Sequence, residues 1–393
     1  MTMPAGRIVH ISGDYPDCWQ PAKTAVVRSL VGLLGDRFDH QVISLNRAAP
    51  GLGDWWRLPR IDWRDDHGVN AIRYAAPGRG LFHATMLERL ADAIAARLEN
   101  GPKPALLVGY KLTIEGLLVA RIAARLGLPY ALCLQGNTDS RILAARRDLR
   151  GLFAAVWHGA AVAFPFAPWT TAQVQARLGA RVGPLIPLPC PTPMDTPLAP
   201  VAGGEGLVTA FHLRNWKLKN LPRLARAAAA AHAREPGLRL ALIGGGTLAE
   251  TAAAGRVAAR AGCIVAEGPL VHAEMPARLN RARGFAMPSL RESFGLVFVE
   301  ALFAGCPILY PAGRAVDGWF DGLPFATAAD PHDTGAIADG LLRLYREEES
   351  AKAALADWQQ SPAAARFRRE AIGRAFGDGL AAALSSGPDR LVA

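Results

Sequence analysis

Apolar positions along this chain follow two alternating rhythms, short β-branched or buried runs and longer stretches at helical spacing. That alternation predicts an α/β protein. Residues 7–12 form a β-branched run that leads into the turn segment Gly13-Asp14-Tyr15-Pro16-Asp17. A helical pattern starts near Lys23, with Val26, Val27, Leu30, Leu33 and Leu34 at helical spacing. Residues 40–45 and 70–74 read as strands, 81–98 as an amphipathic helix and 105–109 as a buried strand. A helix over 117–126 and a strand over 129–134 complete this half. Strands alternating with helices of this length predict a parallel sheet covered on both faces.

The rhythm stops between Pro184 and Pro200, where Pro187, Pro189, Pro191, Pro193 and Pro197 also fall. Proline fixes φ and donates no backbone hydrogen bond, so this stretch reads as an extended, semi-rigid linker. The βα pattern then restarts. Residues 207–211 read as a strand, 221–234 as a helix, 238–243 as a strand ending in Gly244-Gly245-Gly246, and 284–287 as another strand. Later helices are predicted over 336–345 and 363–384. Two βα sets joined by a proline-rich linker predict two Rossmann-like domains, 1–190 and 191–371.

Bulk properties agree with that division. A chain of 393 residues exceeds one ordinary core. The five cysteines are scattered and form no C-x-x-C or Cys/His cluster, which argues against a disulfide framework or zinc site and for a reducing cytoplasm. Apolar runs at 152–169 and 294–311 are short and interrupted, by His158, Gly159, Pro165 and Pro168 in one and Glu300 and Pro307 in the other. Neither predicts a membrane span. The run Ile8-Val9-His10-Ile11-Ser12 is too short for a signal-peptide core.

Net charge is +10, unevenly spread. Residues 1–200 carry 22 Lys and Arg against 15 Asp and Glu, a balance of +7 that leaves +3 for the remainder. A basic first half suggests an anionic partner, either an anionic acceptor or anionic membrane; solvated basic helix faces account for it equally well. Trp55-Trp56 with Arg57, Arg60 and Arg64 reads as a loop packed on its own domain or as a membrane-surface patch. No recognition motif for nucleic acid is present.

Candidate chemistry concentrates in the second half. A strand ends near Ser289, a short turn carries Glu292, and a helix begins around Gly295. Glycine lets a ligand approach the backbone, and the free N–H groups of a first helical turn bind phosphate. Glu300 lies about one and a half turns further, roughly 7.5 Å along the axis, where a carboxylate can accept from a vicinal diol such as ribose. Glu292 precedes the helix, on the side of a transferring group. Upstream, the strand at 207–211 ends in Leu213-Arg214-Asn215-Trp216-Lys217-Leu218-Lys219-Asn220. Arg214 and Lys219 are placed there for anionic oxygens at the carboxyl end of a strand. Each residue alone has a bland reading: a surface carboxylate for either Glu, a tight turn for the glycine run.

Taken together, Pro288-Ser289, Glu292, Phe294-Gly295, Glu300-Ala301, Gly305 and Pro307 resemble the Pro-Ser-x-x-Glu-x-Phe-Gly-x-x-x-x-Glu-Ala stretch of the family 4, or group 1, glycosyltransferases. Arg214 and Lys219 match that family's upstream Gly-Arg-Leu…Lys-Gly element, with Leu213 and Asn220 in place of both glycines. Gly244–Gly246, Gly268 and Glu274-Met275 also fall where the family has glycine and acidic positions. The resemblance implies a retaining enzyme of the GT-B fold, two Rossmann-like domains whose parallel sheets face across a cleft, with a C-terminal helix over about 372–393 returning to the first domain. It implies that Arg214 and Lys219 hold the diphosphate of a nucleotide-sugar donor, Glu300 the ribose and Glu292 the sugar. Gly244 and the backbone of Phe294, Gly295, Leu296 and Val297 would complete the donor site, with Arg214, Lys219 and Glu292 also catalytic.

No Asp-x-Asp in a metal context appears, so the resemblance implies no metal and no cofactor, the nucleotide-sugar being a substrate. The first half departs from the family. Pro21-Ala22 stand where a double glycine precedes Lys23-Thr24. Gly109-Tyr110-Lys111 replaces a His-x-His, and Gln135-Gly136 replaces a His-Gly. Lys23 and Gln135 are the acceptor-side candidates. The acceptor suggested is lipid-linked or a cell-envelope polysaccharide, met in the cytoplasm or at the inner face of its membrane. A nucleotide-sugar epimerase of the same fold and a non-catalytic nucleotide-sugar-binding protein are the alternatives.

Overall fold

The computed structural model describes residues 6–51 and 58–385. Trp55, Trp56 and Arg57 lie outside them, as does the end of the predicted C-terminal helix. The chain divides into two units. The first takes the described residues up to 166, residues 170–191 and those from 369 onward; the second takes 167–169 and 192–368.

The first unit contains β1 (Arg7–Ser12), α1 (Val26–Leu33), β2 (Asp39–Ala48), β3 (Ile61–Asp66), β4 (Val69–Ala75), α2 (His83–Glu99), β5 (Leu106–Gly109) and α3 (Glu115–Leu126). It continues with β6 (Tyr130–Leu134), α4 (Asn137–Ala145), α5 (Arg150–Gly159), β7 (Val162–Pro165) and α6 (Pro168–Leu178), whose first two residues cluster with the second unit. Its strands run in the order β3-β4-β2-β1-β5-β6-β7. All pair in parallel except β3, which pairs antiparallel with β4. The parallel sheet expected from the sequence is thus present, with one antiparallel strand added at its edge. The antiparallel direction comes from a two-residue hairpin in which both His67 and Gly68 have positive φ, 49° and 85°. The strands are apolar because both faces are covered, Val9, Ile11, Ile43, Ile72, Leu107 and Leu132 lying in one core with α2 and α3.

The second unit contains β8 (Leu207–Ala210), α7 (Leu221–Arg234), β9 (Leu240–Ile243), α8 (Leu248–Ala259), β10 (Ile264–Gly268), α9 (Met275–Asn280), β11 (Gly284–Ala286) and α10 (Leu296–Phe303). It ends with β12 (Ile308–Pro311), β13 (Ala326–Ala329), α11 (Thr334–Arg346), α12 (Glu348–Gln360) and α13 (Pro362–Ala365). The order is β10-β9-β8-β11-β12-β13, parallel throughout.

Three boundaries differ from the sequence reading. The first helix starts at Val26, not near Lys23, because Lys23 is drawn inward by polar partners described below. The stretch 363–384 is two helices, α13 and α14 (Arg369–Ser385), and α12 precedes them. Ser361 breaks α12 from α13 by accepting the Ala364 N–H, an N-cap that restarts the helix. The final helix α14 packs in the first unit, where Phe376 meets Phe164 edge to face at 4.9 Å and Asp378 pairs with Arg37 at 2.8 Å.

Candidate functional site

In an open α/β sheet the ligand crevice lies at the carboxyl ends of the strands, where the strand order reverses. In the second unit that point is between β8 and β11, since β9 lies on one side of β8 and β11 on the other. The two loops that leave these strands carry the residues singled out in the sequence.

After β8 the chain forms a tight turn over Leu213–Asn215, capped by His212, whose ring accepts the Arg214 N–H at 3.2 Å. The buried Leu213 donates its N–H to Gly245 O at 2.9 Å, and Gly244 donates to Gly268 O at 2.9 Å. A Cβ on Gly244 would stand 2.0 Å from Phe211 O, so only glycine lets these two loops meet. Gly244 thus has a packing role, shaping the wall beside Arg214. The Arg214 side chain is exposed and has no hydrogen-bond partner among the described residues.

Lys219 behaves differently. Its Nζ forms an ion pair with Glu292 Oε2, both side chains being less than one-fifth exposed. The contact joins residues 73 positions apart. Two features hold it. Leu290 donates its N–H to Leu218 O at 2.9 Å, stitching the loops together. Asn220, buried and left-handed with φ 62°, donates through Nδ2 to Pro288 O at 3.0 Å and Pro331 O at 2.7 Å. Asparagine tolerates the left-handed region that the family fills with glycine, and here it also supplies two anchoring bonds.

Beyond Glu292 the chain turns at Gly295, with φ 74°, into α10. A Cβ there would lie 2.7 Å from the Phe298 ring and 3.0 Å from Glu292 Cγ. Glycine is therefore needed both for the backbone and for the placement of Glu292. Phe294 is buried beneath the turn, while Leu296 and Val297 are half-buried in the first turn of α10, whose leading N–H groups are the anion-binding kind. Glu300 sits one turn later, half-buried. Burial pushes its carboxyl pKa up, opposed by the nearby His272. Sequence reasoning gave no role to His272 or to Asn220; the second was visible only as a departure from the family pattern. No cluster of three or more His, Cys, Asp or Glu side chains among the described residues is arranged to hold a metal ion.

Residues 206–347, which contain this whole arrangement, match the family described as Glycosyl transferases group 1. The chain carries a group 1 glycosyltransferase domain. No curated protein sequence matches the chain. Among solved structures, the sucrose-phosphate synthase from Thermosynechococcus elongatus is similar at 18% identity, TM-score 0.67, covering 95% of this chain and 98% of that one. The E. coli structure described as trehalose-6-phosphate bound with UDP-2-fluoro glucose is similar at 11% identity, TM-score 0.65, with 95% and 99% covered. A UDP-forming α,α-trehalose-phosphate synthase from Burkholderia xenovorans, solved with glucose-6-phosphate, gives 12%, 0.59, 95% and 100%. At these identities the likeness establishes the fold, and the fold is GT-B. Residues 206–347 thus match the group 1 glycosyltransferases, within a chain of GT-B fold.

The acceptor-side candidates lie at the carboxyl edge of the first unit's sheet. Lys23 is not free there. Its Nζ donates to Asp17 Oδ2 at 3.1 Å, Ser44 Oγ at 3.0 Å and Leu45 O at 3.1 Å, with only 7% of the side chain exposed. Burial pulls the Lys23 pKa down against the pull of Asp17. Asp17 in turn accepts from Ser44 at 2.5 Å and Asn46 at 2.7 Å. Gln135 follows β6, half-buried, and makes no side-chain hydrogen bond among the described residues. Arg64 is stacked over Trp19 at 4.3 Å. No helix among the described residues is long and apolar enough to cross a membrane.

Proposed function

We propose that this glycosyltransferase moves a sugar from a nucleotide-diphosphate donor to a hydroxyl acceptor with retention at the anomeric carbon. The observation that supports this most is the convergence of Arg214, the Lys219–Glu292 pair and the α10 N-terminus on one switch point. Breaking the bond to the diphosphate builds positive charge on the sugar and negative charge on the leaving group. Arg214, Lys219 and the first N–H groups of α10 face the negative charge, which is electrostatic catalysis without a metal. Glu292, bonded to Lys219, stands at the junction of diphosphate and sugar. Glu300, further along α10, takes the ribose. The acceptor is the sugar terminus of a lipid-linked or cell-envelope polysaccharide, met at the inner face of the membrane, where the basic first half meets anionic lipid. The solved neighbours named for sugar phosphates support a second reading, a phosphorylated sugar acceptor.

The test is incubation with UDP-, GDP- and ADP-sugars, with products resolved by NMR. A new glycoside with the donor's anomeric configuration is the expected result. Release of an altered sugar nucleotide with no acceptor consumed would instead identify an epimerase, and inversion would refute retention. In the same assay Glu300→Ala should chiefly raise the donor KM, the mark of lost uniform binding. Glu292→Ala should chiefly lower kcat, by a factor of about 10²–10⁴.

A further inference from the structure

In the first unit the strand order reverses at β1, between β2 and β5. The crevice between β1 and β5 is therefore this unit's ligand position. Two loops border it, Gly13-Asp14 after β1 and residues 110–114 after β5. Lys111 Nζ lies 2.6 Å from Asp14 Oδ2 and 3.3 Å from Glu115 Oε1. Glu115 is fully buried. Its Oε1 also accepts the Gly13 N–H at 2.7 Å, and its Oε2 has no partner among the described residues. Asp139 fixes the second loop, accepting from Thr113 N at 2.8 Å, Thr113 Oγ1 at 2.7 Å and Leu112 N at 3.2 Å.

Two ammonium groups, Lys23 and Lys111, pair with the side chains of Asp14, Asp17 and Glu115. Burial works against the charge on Lys111, but Glu115 and Asp14 outweigh it and raise its pKa above that of a free lysine. Both lysines are thus spent on internal partners. What reaches solvent is Asp14, 28% exposed, whose Oδ1 has no partner among the described residues. Burying two lysines to orient a carboxylate at the mouth of a crevice is costly as a purely structural device, since apolar residues would fill the space as well.

We infer that Asp14 binds a hydroxyl of a neutral, polyhydroxylated acceptor, a sugar bearing no phosphate where it meets this loop. Lys111 and Glu115 are positioning residues that hold Asp14 aimed, Lys111 by its bond to Asp14 Oδ2 and Glu115 by its bonds to Lys111 and the Gly13 N–H. A phosphate at the same place would meet the Asp14 carboxylate, with Lys23 and Lys111 already paired to internal carboxylates. The inference rests on the transferase reading above, and it decides between the two acceptors named there.

The test uses matched acceptors, glucose against glucose-6-phosphate and fructose against fructose-6-phosphate, with donor hydrolysis scored separately. The unphosphorylated member of a pair should be glycosylated more efficiently. Asp14→Asn should lower that transfer by about 10- to 100-fold, the worth of one charge-assisted hydrogen bond. Donor hydrolysis scored in parallel separates a loss of acceptor binding from a loss of donor binding. Preferred transfer to a sugar phosphate overturns the inference, as does full transfer by Asp14→Asn. Hydrolysis of no donor at all is a failure of the transferase reading. In that case, or if no acceptor in either list is used, thermal-shift titration with glucose-6-phosphate decides. No stabilisation beyond matched salt is expected. Stabilisation lost in Lys111→Gln, but kept in Arg214→Ala, places a phosphate in the first unit and overturns the inference.

Discussion

The Lys219–Glu292 pair gives a quantitative handle on the donor site. Removing Arg214 takes away one exposed cation and nothing else. Arg214→Ala should weaken binding of the nucleoside diphosphate by about 1.5–3 kcal/mol, or roughly 10- to 100-fold. Lys219→Ala removes a comparable bond but also uncovers the Glu292 carboxylate, now unpaired and less than one-fifth exposed. A unit negative charge about 6 Å from a phosphate, at an effective dielectric near 20, adds roughly 3 kcal/mol of repulsion. Lys219→Ala should therefore cost about 4–6 kcal/mol, roughly a hundredfold beyond Arg214→Ala. Lys219→Ala with Glu292→Gln should recover most of the difference. Isothermal titration with UDP, GDP and ADP on all four proteins is the assay, read as a double-mutant cycle. A double variant no tighter than Lys219→Ala would mean that the nucleotide does not feel Glu292, and the diphosphate would then lie away from this pair.

Two further predictions follow from buried polar groups. Asn220→Gly keeps the left-handed backbone but loses the bonds to Pro288 O and Pro331 O. It should destabilise the protein by about 1–3 kcal/mol, and Asn220→Ala by about 1–2 kcal/mol more because it adds a strained φ. Urea unfolding curves indistinguishable from those of the parent would refute that account. The second concerns His10, fully buried between Tyr110 OH at 2.9 Å and His40 Nδ1 at 3.0 Å. Burial, then His40, hold its pKa well below the ordinary value, so it is neutral in the folded state. The unfolded chain takes up that proton below about pH 6.5, so stability is lost as pH falls through 6.5 towards the folded pKa, by up to about 1.4 kcal/mol per pH unit. His10→Gln should flatten the slope between pH 6.5 and 5. An unchanged slope would show that this histidine is not the proton acceptor.

Most of the βα rhythm was legible because the strands are buried on both faces and read as continuous apolar runs. The hairpin strand β3 was not. Its sequence, Ile61-Asp62-Trp63-Arg64-Asp65-Asp66, is half polar because an edge strand faces solvent, and the turn that defines it uses His67 where Asn or Asp would have signalled it. The candidate donor-site residues were legible in type and spacing, since Glu292 to Glu300 spans a single turn and helix. The bond from Glu292 to Lys219 was not, because it depends on β8 and β11 being neighbours although 73 residues separate the partners. For the same reason Asp14 read only as a turn residue and Lys111 only as a missing histidine pattern. Their meeting requires β1 beside β5.

Net charge and crevice chemistry differ between the two halves, and the difference bears on function. The first half of the chain carries a surplus of +7. Yet the two lysines that border its crevice are both paired internally, to Asp14, Asp17 and Glu115. The second unit shows the reverse. Its surplus is small, but its crevice has an arginine unpaired among the described residues, a lysine balanced by one glutamate and a helix N-terminus. Long-range charge steers encounter and is screened within about 10 Å at moderate salt, whereas a bound ligand meets the few groups that line its crevice. The two sheets therefore supply equivalent switch points, and local charge separates their uses: the cationic one suits a diphosphate, and the one that ends in Asp14 suits a hydroxyl. A basic surface outside the crevice can still meet anionic lipid, and salt-dependent vesicle binding that survives Asp14→Asn would place those two roles on different surfaces of the same unit.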